Sequence, residues 1–159
     1  MAFLIRRAVP EDAAALADIR WTGWQETYAH LLSPQFLASM EPTPAMVERW
    51  VDTITTAERL AVAEVEGAAR GFALAGDSEE SDAPRALQLF ILYQYATEHG
   101  TGTGQALLDA VLGDEPAFLW TAEENPRAIA FYSRNGFEPD GARVVSESWE
   151  NLAEIRMVR

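Results

Sequence analysis

Residues 98–108 read EHGTGTGQALL, with Gly100, Gly102 and Gly104 at alternate positions just ahead of a helix-like run. Glycine lets a backbone turn sharply and bring its N–H groups against a ligand. The first N–H groups of a helix have no partner within it, so such a bend suits an anion, and a diphosphate is the natural candidate. The helix dipole adds only about 0.3–2 kcal/mol, so the bend positions its ligand and other contacts supply most of the affinity. A triphosphatase loop GxxxxGK[ST] needs a lysine, and all 12 basic residues here are arginine. A dinucleotide turn GxGxxG needs glycine where Gln105 or Leu107 stands. A plain strand-to-helix turn with packing glycines remains the alternative for the bend taken alone.

Some twenty residues on, LWTAEENPRAIAFYSRNGFEPDG carries Asn125, Ala128, Tyr132, Gly136 and Phe137. Together the two segments resemble the GNAT superfamily of acyl-CoA-dependent N-acyltransferases. Its [QR]xxGxG loop matches His99, Gly100, Thr101, Gly102, Thr103 and Gly104, with histidine in place of the usual arginine or glutamine. Its N-x-x-A-x-x-x-Y-x-x-x-G-F helix matches Asn125 to Phe137 offset by offset. The opening helix with Trp24 and Tyr28, the run LLSPQFL and the closing GARVVSESWENLAEIRMVR are similar to a small bacterial subgroup, so the resemblance spans the chain.

The resemblance implies acetyl-CoA as co-substrate, no metal, and an amine of a small molecule or peptide as acceptor, with a homodimer as a common arrangement. It places Tyr132 near the CoA sulfur as proton donor; an aromatic on a packed helix face is the alternative. It lays the pantetheine arm along Gln94, Tyr95 and Ala96. Asn125 would contact the CoA chain, cap its helix as asparagine often does, or do both. Trp24 and Tyr28 would wall the acceptor side, where aromatic rings suit an amine; core packing is the alternative. Gln88 stands where related enzymes often carry a glutamate base, which leaves the base unassigned, with Glu26 as a substitute or a merely solvated acid. A non-catalytic acyl-CoA-binding module is therefore the second reading. His30 and His99 are too isolated for a metal site.

The implied fold is α/β, a mixed and mostly antiparallel twisted sheet of about seven strands, flanked by helices and splayed between the fourth and fifth strands. The residues themselves predict strands over 3–8, 60–66, 71–75, 86–95 and 117–121, with a closing hairpin at 142–148 and 152–158. They predict helices after Pro10, after Ser33, over 45–55, over 102–112 and over 126–134, with Gly136 as a left-handed terminator. Ala13, Ala17, Trp21, Trp24 and Tyr28 share one face of the first helix.

A chain of 159 residues with 48% apolar residues fits one globular domain, residues 1–159. It has no cysteine and a formal net charge of −13, which excludes thiol chemistry and argues against a nucleic-acid partner. The same charge is compatible with a cationic substrate. No apolar run approaches the roughly 20 residues of a membrane span. The N-terminal stretch has the wrong charge order for a signal peptide, and a cytoplasmic location is the default expectation.

Overall fold

The computed structural model describes residues 2–159. The strands are β1 (Phe3–Arg7), β2 (Arg59–Val65), β3 (Ala68–Asp77), β4 (Leu87–Gln94), β5 (Phe118–Ala122), β6 (Glu138–Ser146) and β7 (Leu152–Val158). The helices are α1 (Ala13–Tyr28), α2 (Pro34–Ser39), α3 (Pro44–Thr56), α4 (Thr103–Leu112) and α5 (Pro126–Arg134). One seven-stranded sheet runs in the order β1-β2-β3-β4-β5-β7-β6. Every pairing is antiparallel except β4 with β5.

The alternation of side chains along a strand sorts the core into two layers. Leu60, Val62 and Phe72 point to one face, where they meet Leu16 and Ile19 of α1 and Ile54 of α3. Ala61, Ala63, Ala73 and Ala75 point to the other, beneath Leu107, Leu108, Val111 and Leu112 of α4. Those alanines leave room for α4 to lie close against the sheet. Each fully buried leucine contributes about 1.5–3 kcal/mol relative to an exposed one, so the α4 row anchors the helix whose first turn forms the glycine bend. Ser33 and Thr43 cap α2 and α3 by accepting from the N–H groups of Phe36 and Met46.

The helices expected after Ser33, over 102–112 and over 126–134 are present, and Gly136 takes a left-handed φ of +86°. Two strands run longer than their residues suggest. β3 begins at Ala68, because the turn is only Glu66-Gly67, both with positive φ. β6 begins at Glu138, not Ala142, because Glu138 and Pro139 pair with Val158 and Met157 of β7 before a bulge around Gly141.

The feature that creates the site is a bulge in β4. Leu74 of β3 pairs with Ile91 and Ala75 with Leu89, so Phe90 is an extra residue without an opposite number. A bulge bends its strand and sharpens its twist. Beyond it β4 leaves β5: the two pair only at Gln88–Phe118 and Leu89–Leu119. The rest of the β4 edge opens into a V.

Candidate active site

Two chambers meet in the V. The larger, about 750 Å³, runs from the glycine bend along α5 and is lined by Gln94, Ala96, His99, Gly100, Gly102, Gly104, Asn125, Arg127, Tyr132 and Arg134 among others. The smaller, about 160 Å³, lies between the diverging strands and α1 and is lined by Arg20, Trp24, Tyr28, Phe90, Trp149 and Glu154 among others. Leu92, Tyr93, Asn125, Ala128 and Tyr132 line both. Gly23 admits α1 to this junction, since a Cβ there would stand 2.9 Å from the Tyr93 ring.

At the bend, Gly100 and Gly102 hold φ of +79° and +94°, where any other L-residue is strained. The N–H groups of Gly100, Gly102, Gly104 and Gln105 have no acceptor among the described residues, whereas that of Thr101 reaches the Glu98 carbonyl at 3.3 Å. The threonines between the glycines turn inward. Thr101 Oγ1 donates to the Glu98 carbonyl at 2.7 Å, and Thr103 Oγ1 donates to Gln94 Oε1 at 2.7 Å. Thr103 is 1% exposed, so both threonine side chains serve the shape of the bend and lie outside the chamber lining.

His99 and Arg127 meet side chain to side chain across the bend. Burial, then the neighbouring guanidinium, lower the His99 pKa from its ordinary 6.5, so the imidazole is neutral at pH 7 and the cation beside the bend is Arg127. No spacing in the sequence marked Arg127 or Arg134. Both stand at the ends of α5, which folds back to the bend only in three dimensions.

Tyr132 is 8% exposed and packs edge-on against Phe131 and Phe137. Its hydroxyl has no protein partner, yet it is not an orphaned buried atom: among the described residues that description fits Trp24 Nε1 alone. The phenol therefore faces the open junction. Burial, and secondarily Tyr28, raise its pKa well above the usual 10, so it is a protonated donor across the physiological range. Asn125 caps α5, accepting from the Ala128 N–H at 3.2 Å, and its remaining amide borders both chambers.

Three expected residues sit differently. The Tyr95 N–H donates to the Arg70 carbonyl at 3.0 Å, its hydroxyl donates to Asp18 at 2.5 Å, and it lines neither chamber. The Ala96 N–H donates to Glu26 Oε2 at 3.0 Å. Two of the backbone donors expected for an extended ligand are thus committed within the chain, and Glu26 is the partner of the Ala96 N–H more than a free base. The edge left for a ligand is the part of β4 up to Gln94. Gln88 is the third: it precedes the bulge, accepts from Ser78 Oγ at 3.0 Å and borders neither chamber.

Trp24 and Tyr28 do wall the smaller chamber. Trp24 lies 4.8 Å from Tyr28 and 4.9 Å from Trp149, ring centre to ring centre. Trp21, on the same helix face by sequence, instead donates its indole N–H to the Leu37 carbonyl at 3.0 Å. Glu154 went unnoticed in the sequence. It is half-buried, it has no salt bridge or hydrogen bond among the described residues, and burial raises its pKa above the ordinary glutamate value. No helix of the described residues is long and apolar enough to cross a membrane.

Comparisons with known proteins agree with this architecture. The family described as "Acetyltransferase (GNAT) family" matches residues 14–137. The chain is 26% identical to a Mycobacterium tuberculosis protein named "Probable N-acetyltransferase Rv2775", over 96% of this chain and 88% of that one. It is 25% identical to "Uncharacterized N-acetyltransferase YuaI" of Bacillus subtilis, over 96% and 95%. Among solved structures, the PaiA N-acetyltransferase of Thermoplasma acidophilum in complex with coenzyme A superposes with a TM-score of 0.77 at 19% identity, covering 100% of this chain and 99% of that one.

Proposed function

The chain belongs to the acetyltransferase (GNAT) family, and from that premise we propose that it transfers an acetyl group from acetyl-CoA directly to a primary amine of a small molecule or peptide. One observation carries the proposal. Two chambers share Tyr132 in their linings, so a thioester in one and an amine in the other would meet at a single proton donor.

The residues present fit the co-substrate. Four unpaired N–H groups at the glycine bend, with Arg127 beside them, would hold the diphosphate. The unpaired β4 edge offers strand-like hydrogen bonds to the amides of an extended pantetheine arm. Asn125 lines both chambers and could offer its amide to the same arm.

Transfer needs a neutral amine, a stabilised carbonyl oxygen and a protonated leaving sulfur. Tyr132 meets the last need, its buried phenol holding a proton for a thiolate of pKa about 8.5. Trp24 and Tyr28 would flank the acceptor. The smaller chamber falls below the roughly 300 Å³ at which drug-sized ligand sites begin, which suits a small amine or the end of a longer one.

The test is calorimetric titration with CoA, followed by acetyl-CoA with spermidine, the twenty amino acids and a set of free-N-terminal tetrapeptides, read by thiol release and an acetyl mass shift. Tight CoA binding with transfer to one class supports the proposal. CoA binding with no acetylated product would make the chain an acyl-CoA-binding module, and no response to millimolar CoA would refute both.

A further inference from the structure

The smaller chamber contains one carboxylate that the chemistry above does not use. On β7, Leu152 and Glu154 share a face, and Leu152 packs with Trp24 and Tyr28. Glu154 is therefore turned toward α1 and the V. It sits opposite Ala122, the last residue of β5, and Val144 of β6, where the divergence of β4 leaves the face uncovered.

The chamber lining brings this carboxylate together with Trp24 and Tyr28 on one side and Tyr132 on another. The other ionisable groups facing it are Arg20 and Tyr28 from α1, Tyr93 from β4 and Tyr132 from α5. The three phenols have pKa values raised above the usual 10, chiefly by burial, so they are neutral at pH 7. Arg20 makes no salt bridge among the described residues; its guanidinium lies 5.9 Å from the Trp24 ring. Glu154 is thus the one anion in a chamber of about 160 Å³ whose lining also includes seven aromatic residues and the Arg20 cation.

The geometry points to Glu154 as the catalytic base that takes the proton from the acceptor ammonium. The inference rests on the acetyl-transfer reading above. The one acid suggested by the sequence does not compete: Glu26 lines the larger chamber and holds the Ala96 N–H, while Gln88 has no carboxylate and lies outside both chambers. The proton balance closes. The ammonium gives one proton to Glu154, and the neutral nitrogen forms the C–N bond. As the C–S bond breaks Tyr132 delivers its proton to sulfur; the nitrogen, cationic after C–N bond formation, loses its second proton to solvent, solvent reprotonates the Tyr132 phenolate, and Glu154 returns its proton to water. Burial raises Glu154 above ordinary glutamate, which narrows its gap to an amine of pKa about 10.

The test compares wild type with Glu154→Gln and Glu154→Asp on the best acceptor from the panel above, with kcat/KM measured from pH 6.5 to 9.5. At pH 7 only about one amine in a thousand is neutral, so the Gln variant should lose about a hundredfold there. Solvent deprotonates the amine as pH rises, and the deficit should shrink to within about threefold at pH 9.5. The Asp variant, which keeps a carboxylate, should stay within about tenfold at pH 7, and acetyl-CoA affinity by calorimetry should be unchanged in both. A deficit of the same size at every pH, or none, overturns the role of Glu154 while leaving acetyl transfer intact. If the Gln variant does not fold, an Asp variant with a large, pH-independent loss overturns it equally. Wild-type protein that acetylates nothing in the panel refutes the underlying transfer reading, and the inference with it.

Discussion

Replacing Tyr132 by phenylalanine removes one oxygen and little else. The ring keeps its edge contacts with Phe131 and Phe137, at 5.3 and 5.9 Å. No protein group is bonded to the hydroxyl, so none is left unsatisfied, and the melting temperature should move by less than about 2 °C. The kinetic effect is set by the leaving group. A positioned general acid contributes about 10²–10⁴-fold when the departing group is a strong base. A thiolate of pKa about 8.5 is a weak one, which puts the loss at the low end, about 10- to 100-fold in kcat, or about 1.4–2.7 kcal/mol at 1.36 kcal/mol per decade. Acetyl-CoA affinity should not change. Because burial holds the phenol above its usual pKa, the wild-type rate should also show no alkaline fall from this group below about pH 10. Thiol release with a chromogenic disulfide gives kcat, and calorimetry gives the affinity. A variant that turns over at the wild-type rate would remove Tyr132 from the chemistry and leave it a packing residue.

Asn125→Ala should lose the α5 cap and cost about 1 kcal/mol, lowering the melting temperature by about 2–4 °C. Asn125→Asp keeps the capping oxygen; if it also keeps acetyl-CoA affinity in calorimetry, Asn125 is a cap alone. Arg127→Ala should weaken CoA binding about fivefold, the effect of about 1 kcal/mol expected for an exposed charged contact. The same change should raise the His99 pKa in an NMR titration, though not above about 6.5, since burial is the larger cause of its depression. Asp12 accepts twice from Arg6, at 2.7 and 2.9 Å, and once from the Val9 N–H. Arg6 is the main reason its pKa is lowered, so the stability it confers is present above the ordinary aspartate value of about 3.9 and fades as pH falls through the lower folded value. Asp12→Asn should therefore melt about 3–8 °C below wild type at pH 7, from a loss of about 1–3 kcal/mol, and that gap should narrow below about pH 4.

The parts of the site legible in the sequence are those coded locally. The helix Pro126–Arg134 announces itself through an asparagine cap, a proline at its start and a glycine after its end, and the bend through alternating glycines before an apolar helix. What the sequence hides arises from pairing between distant segments. Nothing in LQLFILYQ marks Phe90 as an extra residue. The bulge exists because β3 must pair on both sides of it, and it moves the cleft to positions after Leu89, which is why Gln88 falls outside. The N–H groups of Tyr95 and Ala96 looked free because their partners, Arg70 and Glu26, lie 25 and 70 residues away. Glu154 is a single acid in a closing strand. Its neighbours in the chamber come from α1, β4 and α5, and only the splay brings those elements to one place.

The same splay divides the charges. A chain of net charge −13 is a poor general host for a polyanion, yet its formal charge is screened beyond about 8 Å at physiological salt. Local donors then decide: on the coenzyme side these are the unpaired amides of the bend with Arg127 and Arg134. On the other side Glu154 is the one carboxylate lining the smaller chamber, where the proposed cationic acceptor would meet it. Under the proposed function an anion in one chamber and a cation in the other would meet at Tyr132, which lines both. One unpaired residue in β4 accompanies that arrangement: β4 pairs with β5 only before Phe90, and the residues after it line both chambers.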